Sequence, residues 1–210
     1  MKSTDKNMNN RLYKAIVIGV SAGGLKALVK LFGNLPSNFP IPILVTQHLH
    51  PSEDSYLATL LGRITLLEVK EAGDKDEIKP GVIYLAPPNY HLLIERKKTI
   101  SLSSDKKVNY SRPSIDVMFE SAANTWGAGL IGIILTGASS DGSEGIKKIK
   151  AAGGFTIAED PATAEYPLMP QSAINTGAID LVLALDKIAE YIINLAGNNK
   201  NSVELYQEVR

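Results

Sequence analysis

The chain has 210 residues, enough for one ordinary domain that buries roughly 70% of its unfolded surface without covalent staples. Its 22 basic and 22 acidic side chains cancel, which excludes a net field drawing it to nucleic acid or anionic lipid, and without cysteine it has no disulfide, thiolate metal site or cysteine nucleophile. The opening MKSTDKNMNNR lacks the apolar core of a signal segment and no later run reaches the ~20 apolar residues of a membrane span, so a cytoplasmic protein that is not membrane-embedded and binds no nucleic acid is expected.

Residues 1–12 are expected to form a disordered tail, ahead of a single domain over 13–197 and a loosely held C-terminal tail over 198–210. Ala15-Ile16-Val17-Ile18 predicts a buried strand, GVSAGG a turn, and Leu25, Leu28, Val29, Leu31 and Phe32 a helix that stops at Gly33-Asn34 and Pro36. The unit repeats, with a strand over Ile41–Thr46 that ends at Gln47-His48 and a helix from about Ser52 carrying Leu57, Leu60 and Leu61 on one face. Between Leu66 and Leu102, short alternating runs with turn signals at Pro80-Gly81 and Pro87-Pro88-Asn89 predict an antiparallel excursion. The α/β rhythm resumes with a helix over Ser114–Thr125, a strand over Leu130–Leu135, a helix over Gly142–Ala152 and a strand over Phe155–Ala158. A short helix over Gln171–Asn175, a strand over Leu181–Leu183 and a closing helix over Asp186–Leu195 complete the chain. The expected fold is α/β: a doubly wound, mostly parallel sheet flanked by helices in a Rossmann-like three-layer arrangement, with a short antiparallel β excursion.

The GVSAGG turn admits several chemistries. A P-loop needs Gly-Lys-Ser/Thr, and here the turn ends Gly24-Leu25-Lys26 at the wrong spacing. A dinucleotide site needs G-x-G-x-x-G and an acid at the end of the second strand; Ser21 replaces the middle glycine and the strand ends Thr46-Gln47-His48. A nucleophile elbow has the form G-x-S-x-G, which Gly19, Ser21 and Gly23 fit, although a serine capping the next helix fits the same letters.

A serine nucleophile needs a base in reach and a third group to hold the base's tautomer. Of the three histidines, His48 ends the strand expected beside the first, His50 lies in the following loop, and His91 lies in the excursion; a structural or surface role is the alternative for each, and placement favours His48 as the base. Asp141 follows a buried strand and precedes a helix, which suits either an N-cap or a triad carboxylate. If the strand order reverses beside the first strand, the ends carrying Ser21, His48 and Asp141 face one crevice. Their chain order differs from the Ser, Asp/Glu, His order of α/β-hydrolases.

The ordered motifs VIGVSAGG, TQH, KPGVIYLAPPNYHLL, RPSIDVMFESAA, ILTGASSDGSEGI and MPQSAI resemble the catalytic domain of the bacterial chemotaxis protein-glutamate methylesterases (CheB-type), over about Lys14 to Asp186. The resemblance implies a serine hydrolase that removes methyl groups from γ-glutamyl methyl esters of chemoreceptors and can deamidate receptor glutamines. Matched by motif, Ser21 is the nucleophile, His48 the base and Asp141 the carboxylate, while backbone N–H groups of Ala22 and Ala138 are candidate oxyanion donors. Neither a metal nor an organic cofactor is expected, and the implied partners are the methylated cytoplasmic helices of chemoreceptors.

Three positions depart from the family pattern: Ala22 where Thr is common, Ala138 where Met is usual, and Glu159 where Gln is usual. Only a short segment precedes Tyr13, so an attached receiver domain is not expected and control is either absent or supplied by a separate response-regulator protein. A catalytically impaired interaction module of the same fold and a nucleotide-binding oxidoreductase remain the rival readings. Arg112, Ser114 and Asp116, and Met169-Pro170, fit either capping and core roles or a crevice wall.

Overall fold

The computed structural model describes residues 12–48 and 56–207, with side chains through residue 197. Strand β1 (Ala15–Val20) is buried along its whole length. Ile16, Ile18 and Val20 point into one apolar layer and Ala15 and Val17 into the other, which is why this run is apolar at both parities instead of alternating. The elements that follow are α1 (Gly24–Phe32), β2 (Ile43–Gln47), α2 (Tyr56–Gly62), β3 (Glu68–Glu71), β4 (Val82–Leu85), β5 (His91–Ile94) and β6 (Ile100–Ser103). Then α3 (Ile115–Trp126) leads through a short 3-10 turn to β7 (Leu130–Ile134), α4 (Ser143–Ala151), β8 (Phe155–Glu159), α5 (Leu168–Asn175), β9 (Leu181–Leu183) and α6 (Leu185–Gln207).

Seven strands form one sheet in the order β3-β4-β2-β1-β7-β8-β9, and every neighbouring pair is parallel. Leu28, Leu31 and Phe32 of α1, Leu61 of α2 and Ile188 and Ile192 of α6 pack on one face. Ile115, Met118 and Phe119 of α3, Ile146 and Ile149 of α4, Met169 of α5 and the β5–β6 hairpin cover the other. This is the expected three-layer, doubly wound α/β fold. The order reverses at β1, which has β2 on one side and β7 on the other, so the crevice at their C-terminal ends lies next to the GVSAGG turn.

The excursion is narrower than the span Leu66–Leu102 suggested. Among the described residues β5 and β6 are the one antiparallel pair of strands, extended by an isolated antiparallel Glu77–Thr99 bridge, while β3 and β4 extend the main sheet in parallel. The polar connection between β3 and β4 carries no helix and instead lies against the hairpin, with Lys75 N–H bonded to the Ile100 carbonyl and Ile78 N–H to the Lys98 carbonyl. Helix α5 starts earlier than predicted, because Pro170 falls in its first turn, where a missing N–H costs nothing. Helix α6 runs past the expected stop at Leu195 through Gln207, into the segment expected to be a tail, since no proline follows Gly197 to break the ladder. The predicted N-terminal tail through Arg11 and the predicted helix start at Ser52 lie outside the described residues.

Candidate active site

Ser21 leaves β1 directly above the sheet edge, in a turn tied down on three sides. Its own N–H donates to the Thr136 carbonyl (3.0 Å), its carbonyl accepts the Gly24 N–H (2.9 Å), and the Gln47 amide Nε2 donates to that same carbonyl (2.9 Å) and to the His48 carbonyl (3.0 Å). Two glycines make the turn. Gly23 has φ 76°, a left-handed conformation that costs other residues strain, and a Cβ on Gly24 would collide with Gln47 Oε1. Thr136 locks the turn from the β7 side: its hydroxyl donates to the Ala22 carbonyl (3.0 Å) and accepts the Tyr166 N–H (2.8 Å), and its N–H donates to the buried Glu159 carboxylate (2.9 Å). Burial pushes the Glu159 carboxyl above its ordinary range, with the Thr136 N–H working against it.

β2 delivers His48 to the same crevice. The His48 N–H continues the ladder to the Val20 carbonyl (3.1 Å), and the ring sits between the two other predicted residues. His48 Nδ1 lies 3.2 Å from Ser21 Oγ and His48 Nε2 lies 2.8 Å from Asp141 Oδ2. With Asp141 ionised, the ring proton belongs on Nε2, which leaves Nδ1 as the acceptor facing the serine hydroxyl.

Asp141 is fully buried and heavily donated to. Oδ2 accepts from His48 and from the Ile115 N–H (2.7 Å); Oδ1 accepts from Ser114 Oγ (3.0 Å), Asn109 Nδ2 (3.1 Å) and the N–H groups of Asp116 (3.2 Å) and Gly142 (3.1 Å). Burial pushes its carboxyl up, but the bonds from His48, Ile115 and Asn109 outweigh burial and hold it at about 2. The N-cap alternative is therefore met in an unexpected way: Asp141 caps α3, a helix 26 residues earlier in the chain at Ile115, while Gly142 with φ 96° occupies the cap position of α4. A carboxylate at the N-terminus of α3 also gains from the helix dipole.

A cavity of about 600 Å³ opens beside the serine, lined among others by Ser21, Ala22, Leu25, His48, Tyr56, Leu57 and Leu60. Ala22 borders this cavity and Ala138 borders a shallower apolar depression with Tyr166, Pro167 and Leu168. Gly137, just before Ala138, passes so close that a Cβ there would come within 2.9 Å of Ser21 Cβ. Neither the Ala22 nor the Ala138 N–H donates to another described residue. Among the described residues, no group of three or more His, Asp or Glu could hold a metal ion.

His91 stands apart from the crevice chemistry. It is buried, its Nδ1 accepts the Ser114 N–H (3.1 Å) and its Nε2 donates to the Lys106 carbonyl (3.1 Å), a structural role. His50 lies outside the described residues. Met169 is a core residue, fully buried, with its N–H on the Gly137 carbonyl (3.0 Å). Ser114 and Asp116 prove to be part of the Asp141 surroundings, whereas Arg112 donates to the carbonyls of Ser104 (2.6 Å) and Asp105 (2.9 Å). Gln47 and Thr136 lie within the TQH and ILTGASSDGSEGI motifs and at predicted strand ends but were given no role from the sequence, and Asn109 lies in none of the motifs.

Fold and site together define a doubly wound α/β protein with a hydrogen-bonded Ser–His–Asp line at the switch point of its sheet. The chain belongs to the CheB methylesterase family, whose model matches residues 16–192. A relative from Leptospira interrogans, provisionally named a protein-glutamate methylesterase/protein-glutamine glutaminase, is 52% identical over 187 residues, which cover 89% of this chain and 97% of that one. A protein-glutamate methylesterase/protein-glutamine glutaminase of Thermotoga maritima is 42% identical over 87% of this chain, and the match spans 54% of that longer protein. The crystal structure of the Thermotoga maritima CheB methylesterase catalytic domain superposes with a TM-score of 0.84 at 41% identity, covering 87% of this chain and 98% of that one.

Proposed function

We propose that this chain hydrolyses γ-glutamyl methyl esters on the cytoplasmic helices of chemoreceptors, with Ser21 as nucleophile, His48 as base and Asp141 as the carboxylate that holds the base. The observation that carries this reading is the unbroken line from Ser21 Oγ through His48 (3.2 Å) to Asp141 (2.8 Å), in a member of the methylesterase family. Ser21 Oγ attacks the ester carbonyl while His48 Nδ1 takes its proton, and the negative charge that develops on the carbonyl oxygen is received by the N–H groups of Ala22 and Ala138. Both donors come from the backbone, so the exchange of Thr and Met for alanine at these positions leaves them in place. His48 returns the proton to the departing methoxide, methanol leaves, and a water activated by the same imidazole releases the glutamate and regenerates the serine. An amide substrate follows the same course with ammonia as the leaving group, in keeping with the glutaminase half of the relatives' names.

Cytoplasmic action is part of this reading, since that is where the proposed substrate helices lie; among the described residues no helix is long and apolar enough to cross a membrane. The test is methanol release from methylated receptor membranes by purified protein. Wild type is expected to release it and Ser21→Ala to lower the rate by about 10³-fold or more, as expected when a triad nucleophile is removed. Undiminished release by Ser21→Ala would remove the nucleophile assignment.

A further inference from the structure

Asn109 lies outside the Ser–His–Asp line, yet its side chain reaches it. Its Nδ2 donates to Asp116 Oδ2 at 2.7 Å and to Asp141 Oδ1 at 3.1 Å, so one amide spans two carboxylates, one in the first turn of α3 and one ahead of α4. Carboxylates this close repel, and an NH₂ group between them offers a proton to each. Burial, opposed by hydrogen bonds from the Gly145 N–H and Asn109 and reinforced by the Asp141 charge, pushes the Asp116 carboxyl up to about 6.

The backbone is bent to place that amide. Asn109 (φ 50°) and Tyr110 (φ 63°) are consecutive left-handed residues, a conformation that asparagine tolerates better than most side chains and tyrosine does not. The Tyr110 side chain is 97% exposed, so its own packing does not offset the strain. The loop is clamped from both ends instead. Val108 and Ser111 exchange backbone hydrogen bonds (3.1 and 2.9 Å), Arg112 grips the Ser104 and Asp105 carbonyls, and the His91 ring joins Lys106 to Ser114.

We propose that Asn109 is a positioning residue: its amide fixes the Asp141 carboxylate so that Oδ2 faces His48, while its other proton goes to Asp116. The inference rests on the reading of Ser21, His48 and Asp141 as the hydrolytic centre. It requires no contact between Asn109 and substrate. The effect belongs on turnover and not on receptor binding.

The titratable groups facing Asn109 are Asp116 on α3 and Asp141 before α4, with His48 at the end of β2 beyond Asp141. Two variants separate positioning from packing. Asn109→Ala deletes the amide, whereas Asn109→Asp keeps its size and replaces the donor with a third carboxylate. Each is compared with wild type for the rate at which a fluorophosphonate labels Ser21, which needs no receptor, and for methanol release from methylated receptor membranes. Asn109→Ala is expected to slow labelling and kcat about tenfold at unchanged KM, the loss of one hydrogen bond to a charged group. Asn109→Asp should be slower still at neutral pH and should recover relative to wild type as the pH is lowered and the new carboxyl gains a proton to donate. Wild-type rates in both variants, a loss confined to KM, or equal losses in both with no recovery at lower pH would overturn the proposal. If the variants behave as expected toward the probe but wild type releases no methanol from receptors, the substrate falls and the positioning role stands. If wild-type Ser21 is not labelled, both fall together.

Discussion

At the residue scale the most informative side chain outside the Ser–His–Asp line is Glu159. It is almost completely buried, and the Thr136 N–H that it accepts belongs to the residue whose carbonyl and hydroxyl hold the Ser21 turn. Burial raises its pKa, so the charged form is less favourable in the fold than in the unfolded chain. Its contribution to stability is therefore complete below the unfolded pKa and is lost as pH rises through the folded one. Glu159→Gln keeps an oxygen for Thr136 and removes the charge. The variant is expected to show a higher thermal midpoint than wild type at neutral pH and no such gain in acid, which thermal unfolding at both pH values reads directly. The Ser21 turn shows the same close fit elsewhere, since Gly24 has no side chain and so admits the Gln47 amide that joins the peptides of Ser21 and His48.

At the element scale, the start of α3 depends on a residue from another part of the chain. Its N-cap, Ser114, makes no side-chain bond to the helix it begins, because its hydroxyl is turned to Asp141; Asp141 in turn accepts the first-turn N–H groups of Ile115 and Asp116. The carboxylate bonded to His48 is thus also the cap of a helix that contributes Ile115, Met118 and Phe119 to the core. Asp141→Ala is expected to abolish activity and also to lower stability by about 3 kcal/mol, since buried donors to a charged group lose their acceptor. Amide exchange checks it: protection should fall at Ile115 and Asp116 before it falls in β1. A global stability equal to wild type would show that the cap carries no load.

At the scale of the whole molecule, two neighbouring carboxylates give opposite pH dependence. Asp141, held at about 2, stabilises the fold fully above its unfolded pKa near 3.8, and that contribution is lost progressively as pH falls from there through about 2. Asp116, raised to about 6, acts the other way: its contribution is full below 3.8 and is lost as pH rises through about 6. Once pH is well above 3.8 Asp141 is ionised in both states, and there Asp116 and Glu159 both pull stability down as pH rises. From about pH 4 to about pH 6 the thermal midpoint of Asp116→Asn is expected to decline less steeply than that of wild type. An equally steep decline in the variant would assign the slope elsewhere.

Much of this architecture was legible before any coordinate. Buried runs such as Ala15–Ile18 and Leu130–Leu135, alternating with helical spacing, dictate a parallel sheet with helices on both faces, because apolar strands joined by crossovers have few other ways to hide both sides. The triad candidates were legible because Ser21, His48 and Asp141 each follow a strand, and strand ends in such a sheet share one edge. Long-range partnerships were not. That β3 and β4 join the sheet in parallel, that Asp141 caps α3, and that Gln47, Thr136 and Asn109 converge on the site all depend on contacts between residues 14 to 114 positions apart. Local spacing encodes the period of an element and the chemistry at its end. Which backbone N–H a buried carboxylate meets is decided only when the layers close and every buried donor must find an acceptor.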